Sequence, residues 1–309
     1  FKERNEEIGI EVEVAYAGLC NRPYAGLVRD VRVRNLKGCA MELEWLDGAA
    51  RVLPHGLDQQ RIKGIPRHIE AMMGVSEVEG IPLFRLKQTP ADSEQVGELK
   101  GGHFYLAAGE GLGKDMVADP AAVCSEPVEC DHPWVFAEGG ARGVLDAPHF
   151  LDNRTPCAFT VRSDRIEAGG ELRHGAVLGA VRRDEDILEL RSEARDPHFF
   201  EAAREESRRV VAETADPCFT LSAEPIFDAY CRQSFLDNVM RGGRPVVFDT
   251  KEGPGALWAF SRQNGDLERD YHFFVLEPSY LSQGTGHYRS VLQNRRCDTF
   301  FYPEVGDVN

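Results

Sequence analysis

Apolar residues recur at every second position through residues 1–183, and this period limits the fold more than any other feature of the chain. Ile8, Ile10, Val12, Val14 and Tyr16 keep that spacing, with Glu11 and Glu13 between them. Met41, Leu43 and Trp45 alternate with Glu42 and Glu44, and Val31 and Val33 with Asp30, Arg32 and Arg34. Successive side chains of a strand point to opposite faces, so each pattern buries one face and wets the other, as antiparallel sheets do. Asp47-Gly48, Pro54-His55-Gly56, Gly101-Gly102, Gly139-Gly140 and Gly169-Gly170 read as the turns between strands. Many short strands with such punctuation, and no long helical period, predict a β-sandwich.

The period changes near Arg182. Residues 184–195 and 199–214 are rich in Glu, Arg and Ala, with Glu205 and Arg209 in the i,i+4 relation that steadies a helix. A third helix follows. Pro225 suits its first turn, and Ile226, Phe227, Tyr230, Cys231, Ser234, Phe235 and Val239 form a stripe that Gly242-Gly243 and Pro245 end. The organisation expected is a sandwich over 1–183, a helical linker over 184–222 whose charge-rich stretch 184–215 is read as a solvated face, and residues 223–309 beyond it, the helices either packing on the sandwich or leading into a helical domain.

Composition removes several functions. The chain has 309 residues and a net charge of −15, which argues against a nucleic-acid backbone as partner. No apolar run approaches about 18 residues, so no membrane-spanning helix is expected. No secretory signal opens the chain, and a start at Phe1 with a stop at Asn309 reads as part of something longer. The eight cysteines lack metal spacing; Cys124 and Cys130 are the closest pair, and there is no CxxC. They are expected as reduced thiols of a cytoplasmic protein. Gly109 to Lys114 resembles a phosphate loop but has Ala108 where the first glycine belongs and Asp115 where a magnesium-binding hydroxyl belongs, so it is read as a plain loop. The nine histidines form no catalytic motif, and His103 and His174 are read as packing residues.

Chemistry concentrates in residues 258–302, which hold ten of the 28 aromatic residues in 45 positions. Trp258, Tyr271, Tyr280 and Tyr288 are interleaved with Asp270, Glu277, Arg289, Gln293, Asn294, Arg295, Arg296 and Asp298. A pyranose has an apolar face that packs on a ring and a rim of hydroxyls suited to carboxylates, amides and guanidinium forks. A core tied by Arg–Asp pairs is the alternative reading of the same composition.

Four stretches resemble the inverting β-glucoside phosphorylases, relatives of cellobiose phosphorylase, and within them the 1,2-β-oligoglucan (sophorose-oligosaccharide) branch. They are FDAYCRQSFLDNVMRGGRP from Phe227, SRQNGDLERDY from Ser261, LEPSYLSQGTGHYRS from Leu276 and QNRRCDTFFYPEVGDVN from Gln293. The resemblance implies a galactose-mutarotase-like antiparallel β-sandwich, a helical linker, and the first helices of an (α/α)6 barrel. It implies phosphorolysis of β-linked, β-1,2 in this branch, gluco-oligosaccharides to a sugar 1-phosphate with inversion. Inorganic phosphate would be the co-substrate, with no metal and no organic cofactor. The candidate substrate-binding residues are Arg289, Gln293, Asn294, Arg295, Arg296, Asp298, Asp270, Glu277 and Tyr280. Family precedent also favours a homodimer of the full-length protein.

An inverting hydrolase needs one carboxyl as acid and another as base, whereas phosphate is already an anionic nucleophile, so a phosphorylase needs the acid alone. The resemblance puts that Asp beyond Asn309, so no catalytic residue is expected within the chain. One departure stands out: relatives have Asp where Ser290 stands, and losing a carboxylate acceptor removes a charge-assisted hydrogen bond worth ~1.5–3 kcal/mol. The alternatives are a hydrolase or a cyclic-glucan-synthase module of the same barrel class, or a non-catalytic carbohydrate-binding relative, which Ser290 favours.

Overall fold

The computed structural model describes residues 1–57, 64–88, 99–108, 115–125, 130–259 and 298–306. The chain divides into two compact units, Phe1–Ser207 and Arg208–Asn309.

The described residues of the first unit form ten strands: β1 (Lys2–Asn5), β2 (Ile10–Gly18), β3 (Ala25–Asn35), β4 (Met41–Ala49), β5 (Met73–Val78), β6 (Ile81–Leu86), β7 (Gly102–Ala107), β8 (Met116–Val117), β9 (Ala158–Ile166) and β10 (Glu171–Val181). Helices α1 (Pro66–Met72), α2 (Ala121–Cys124), α3 (Trp134–Leu145) and α4 (Asp186–Glu193) lie among and after them, and α5 (Phe199–Ala215) starts in this unit. Seven strands form one sheet in the order β1-β2-β3-β10-β7-β6-β5, and three form another in the order β4-β9-β8. The strands pair antiparallel throughout, as the alternation predicts.

Alternation sorts the side chains into three apolar layers. Val177 and Val181 of β10, with Phe104 and Leu106 of β7, face Ile187 and Leu190 of α4 and Phe199 and Ala203 of α5. The intervening positions, Ala176, Tyr105 and Ala107, turn toward Ala158 of β9 and Ala49 of β4, so the two sheets share a core. Phe159 and Val161 on the far face of the small sheet pack under α2 and α3 through Val123, Ala141 and Val144. The large sheet is therefore covered on both sides. The charged stretch 184–215 is not purely a solvated linker, because its apolar stripe closes the sheet. β3 differs from its expected wet face for the same reason: Asp30 is only 7% exposed and accepts from Arg204 Nη1 at 2.7 Å.

Two turn readings need correction. Asp47-Gly48 is no turn but lies within β4, with Gly48 at φ +151°, where a Cβ would collide with the Ala158 carbonyl. Gly139-Gly140 lies inside α3, a 12-residue helix that the period-two reading missed. Gly140 breaks that helix at φ +63°, ψ −164°, and the freed Ala141 N–H donates to Glu44 Oε1 at 3.1 Å. The expected Gly169-Gly170 turn does join β9 to β10, with Gly169 at φ +68°. Cys124 and Cys130 form a disulfide, against the expectation that all eight cysteines are reduced; their Cα atoms are 5.5 Å apart, within bridging reach.

In the second unit, α6 (Pro225–Gly242) matches the expected third helix, with Pro225 in its first turn and Gly243 at φ +84° closing it. Its stripe divides. Phe235 and Val239 pack with Phe301, Tyr302 and Val305, while Ile226, Phe227 and Tyr230 are exposed. An antiparallel hairpin that the sequence reading did not foresee then follows, β11 (Arg244–Thr250) with β12 (Gly253–Ala259). Of the expected barrel helices, the described residues contain α6 and a helical turn at 298–301. Among the described residues, no helix is long and apolar enough to cross a membrane.

Candidate functional site

Arg289, Gln293, Asn294, Arg295, Arg296, Asp270, Glu277 and Tyr280 lie outside the described residues, as does the Gly109–Lys114 loop. Asp298 is described. It is 6% exposed and opens the 298–301 turn, where its carbonyl accepts from Tyr302 N–H at 2.6 Å. Phe301 and Tyr302 of the same turn pack on Phe235 of α6, with ring centroids 4.7 and 6.4 Å away. A carboxylate is held inside only with compensation, and Asp298 is partnered. The stretch from Gln293 thus ends on an anchored, buried acid.

The described residues bring a different polar group together, between the sheets of the first unit. Arg29 of β3 grips Asp47 of β4, with Nε at 2.9 Å from Oδ1 and 3.1 Å from Oδ2, and Nη2 at 2.6 Å from Oδ1. Tyr16 of β2 takes a hydrogen bond from Arg29 Nη1, and the guanidinium lies 5.3 Å from its ring centre. His174 of β10, 4% exposed, sets Nε2 3.4 Å from Asp47 Oδ2 without hydrogen-bond alignment, and Trp45 packs on its ring at 4.7 Å. Trp45 Nε1 in turn donates to Asp164 Oδ2 at 2.7 Å.

Sequence reasoning missed the Arg29–Asp47 pair because Asp47 looked like a turn residue. The signal was available in the register. Met41, Leu43 and Trp45 put Asp47 on the same face, and Val31 and Val33 do so for Arg29, so both charges hold core positions.

Electrostatics gives this group a structural role. Burial would raise the Asp47 carboxyl, but His174 and Arg29 outweigh it and hold the group below the usual carboxylate range. Burial pushes the neighbouring Tyr105 hydroxyl well up, although Thr160 Oγ1 lies 3.3 Å away. The Cys157 thiol is likewise raised by burial and then by Asp119. Asp119, fully buried, has both oxygens in use, accepting from Ala121 N–H, Arg154 Nη1 and Phe150 N–H. Asp47 stays charged while Tyr105 and Cys157 stay protonated near neutral pH, so none is poised to exchange a proton with substrate. Among the described residues, no three His, Cys, Asp or Glu side chains gather as a metal site.

No family model matches the chain, and no curated protein matches it. Among solved structures, a provisionally named kojibiose phosphorylase from the human microbiome is similar, at 7% identity and a TM-score of 0.27. The match covers 77% of this chain and 22% of that one, so this chain spans about a fifth of that protein's length. Likeness at that level carries no argument about the activity of this chain.

Proposed function

We propose that the chain is the sandwich and substrate-wall portion of an inverting phosphorylase of β-1,2-linked gluco-oligosaccharides. Arg289, Gln293 to Arg296 and Asp298 would line the sugar site, with Asp270, Glu277 and Tyr280 beside them. The observation that carries this reading is the set of four stretches between Phe227 and Asn309 that resemble the inverting β-glucoside phosphorylases. The antiparallel sandwich, followed by a second unit that carries α6, has the order such an enzyme needs. Phosphate would attack the anomeric carbon as the general acid protonates the leaving oxygen, and that acid lies outside the matched residues.

The test is incubation with β-1,2-gluco-oligosaccharides and inorganic phosphate, read by phosphorus NMR, of this chain and of its full natural polypeptide. The expected result is glucose 1-phosphate from the full polypeptide and none from the chain alone. Phosphate-independent release of glucose would replace the reading with hydrolysis. Sugar binding without turnover in the full polypeptide would establish the binding relative that Ser290 favours. Cytoplasmic residence and a homodimer belong to the same proposal. The first would require Cys124 and Cys130 to be reduced in the cell, which thiol labelling before lysis reads directly.

A further inference from the structure

A cleft of about 480 Å³ opens in the first unit between the β3–β10 pair and the turn joining α4 to α5. We propose that it binds a small oxyanion, carried by a phosphate ester or a carboxylate, at Arg32 and Arg195. Nothing in this inference rests on the phosphorylase reading, because all of the lining residues belong to the sandwich unit.

The balance of donors and acceptors points to an anion. Four carboxylates lie in or beside the cleft, and three are committed. Asp30 is taken by Arg204 at 2.7 Å, which leaves Arg32 at 3.7 Å from the same oxygen. Asp196 accepts from His198 N–H at 2.9 Å, and Glu171, just outside, takes Arg173 at 2.7 Å. Glu201 stands exposed at the rim. On the other side of the ledger, Arg195 has no hydrogen bond or ion pair among the described residues. The Nε–H groups of both Arg32 and Arg204 are buried without an acceptor. Buried donors are nearly always satisfied, and of these two guanidiniums Arg32 lines the cleft, so its pairing is the one left incomplete there. A guanidinium offers parallel N–H bonds that match the oxygens of phosphate or carboxylate.

The remaining wall limits what carries the anion. Phe200 lies over Gly175, where a Cβ would come within 2.6 Å of the ring, so glycine is what lets the ring close on the strand. Phe200 and Pro197 give the cleft one apolar side, and the volume suits a molecule the size of a sugar phosphate or a short carboxylic acid.

The experiment is titration of the full chain with inorganic phosphate, glucose 1-phosphate and citrate, followed by amide NMR at Gly175 and Ala194 inside the cleft. The expected result is saturable shifts there for at least one probe, weakened about tenfold in Arg195→Gln. Arg195 is exposed, so that variant should keep the thermal midpoint of the parent. Arg34→Gln, which removes a nearby exposed charge outside the cleft, should leave binding unchanged. Phosphate-ester and carboxylate sources separate by which probe binds. Absence of shifts at Gly175 and Ala194 with all three probes overturns the proposal, as does equal weakening by Arg34→Gln and Arg195→Gln.

Discussion

Asp47 illustrates how one side chain's neighbours set its chemistry. Its carboxylate is mostly buried yet kept charged by the Arg29 fork, so removing one partner leaves the other charge stranded between two sheets. Asp47→Asn is expected to cost roughly 2–3 kcal/mol in denaturant unfolding, below the range for a fully buried pair because Arg29 keeps about a quarter of its side chain in solvent. Replacing Arg29 and Asp47 together by leucine should recover much of that loss. If the double variant were as unstable as the sum of the singles, the pair would not be acting as a unit. A second residue-scale expectation concerns His55. Burial lowers its pKa below 6.5, and His103 and Arg85 push it the same way. The folded state thus binds this proton less readily than the unfolded chain. The contribution is complete above the unfolded value of 6.5 and is lost as pH falls through the lower folded value. His55→Gln should flatten the decline of the thermal midpoint between pH 7 and pH 5; an unchanged slope would remove His55 as its source.

Element boundaries in this chain are decided by contacts from outside the element. α3 continues past a glycine in a left-handed conformation because Glu44, from a strand 97 residues away, accepts the N–H group that the break exposes. The pairing works like a helix cap supplied by tertiary structure. Glu44→Ala is expected to cost about 1 kcal/mol. Gly140→Ala should cost more, roughly 2 kcal/mol, since a Cβ there would sit 2.5–2.6 Å from both carboxylate oxygens and hold an unfavourable φ. Equal thermal midpoints for Gly140→Ala and the parent would show that the break can be absorbed.

Over the whole sandwich unit, stability should be graded from the middle of the large sheet outward. Val177, Phe104 and Leu106 are fully buried, and their strands β10 and β7 are covered by helices on one side and the small sheet on the other. β1 is an edge strand whose four residues are all exposed. Native-state hydrogen exchange should therefore be slowest in β10 and β7 and fastest in β1. Leu106→Ala is expected to destabilise the unit by about 3 kcal/mol, through lost transfer energy and a cavity that two covering layers cannot collapse into. A loss below 1 kcal/mol, read by denaturant unfolding, would mean that the layers are looser than their burial indicates.

What the sequence determined by itself was local and periodic. Ile10 to Tyr16, Val31 to Val33 and Met41 to Trp45 announce strands because a strand must alternate, and Pro225 with Gly243 brackets α6 because backbone geometry demands it. The resemblance to the phosphorylases also rests on residue type alone, and residues 260–297, which carry much of it, lie outside the described residues. Tertiary structure alone decided that α4 and α5 close the large sheet, that Asp30 and Asp47 are interior charges, and that Glu44 caps α3. It alone paired Cys124 with Cys130 and assembled the Arg32–Arg195 cleft. Apart from the disulfide, whose cysteines are six residues apart, each of these joins residues far apart along the chain or depends on which elements stack. A charged residue in an alternating run has the same local signature whether its face meets water or another layer, and only the packing of layers distinguishes the two.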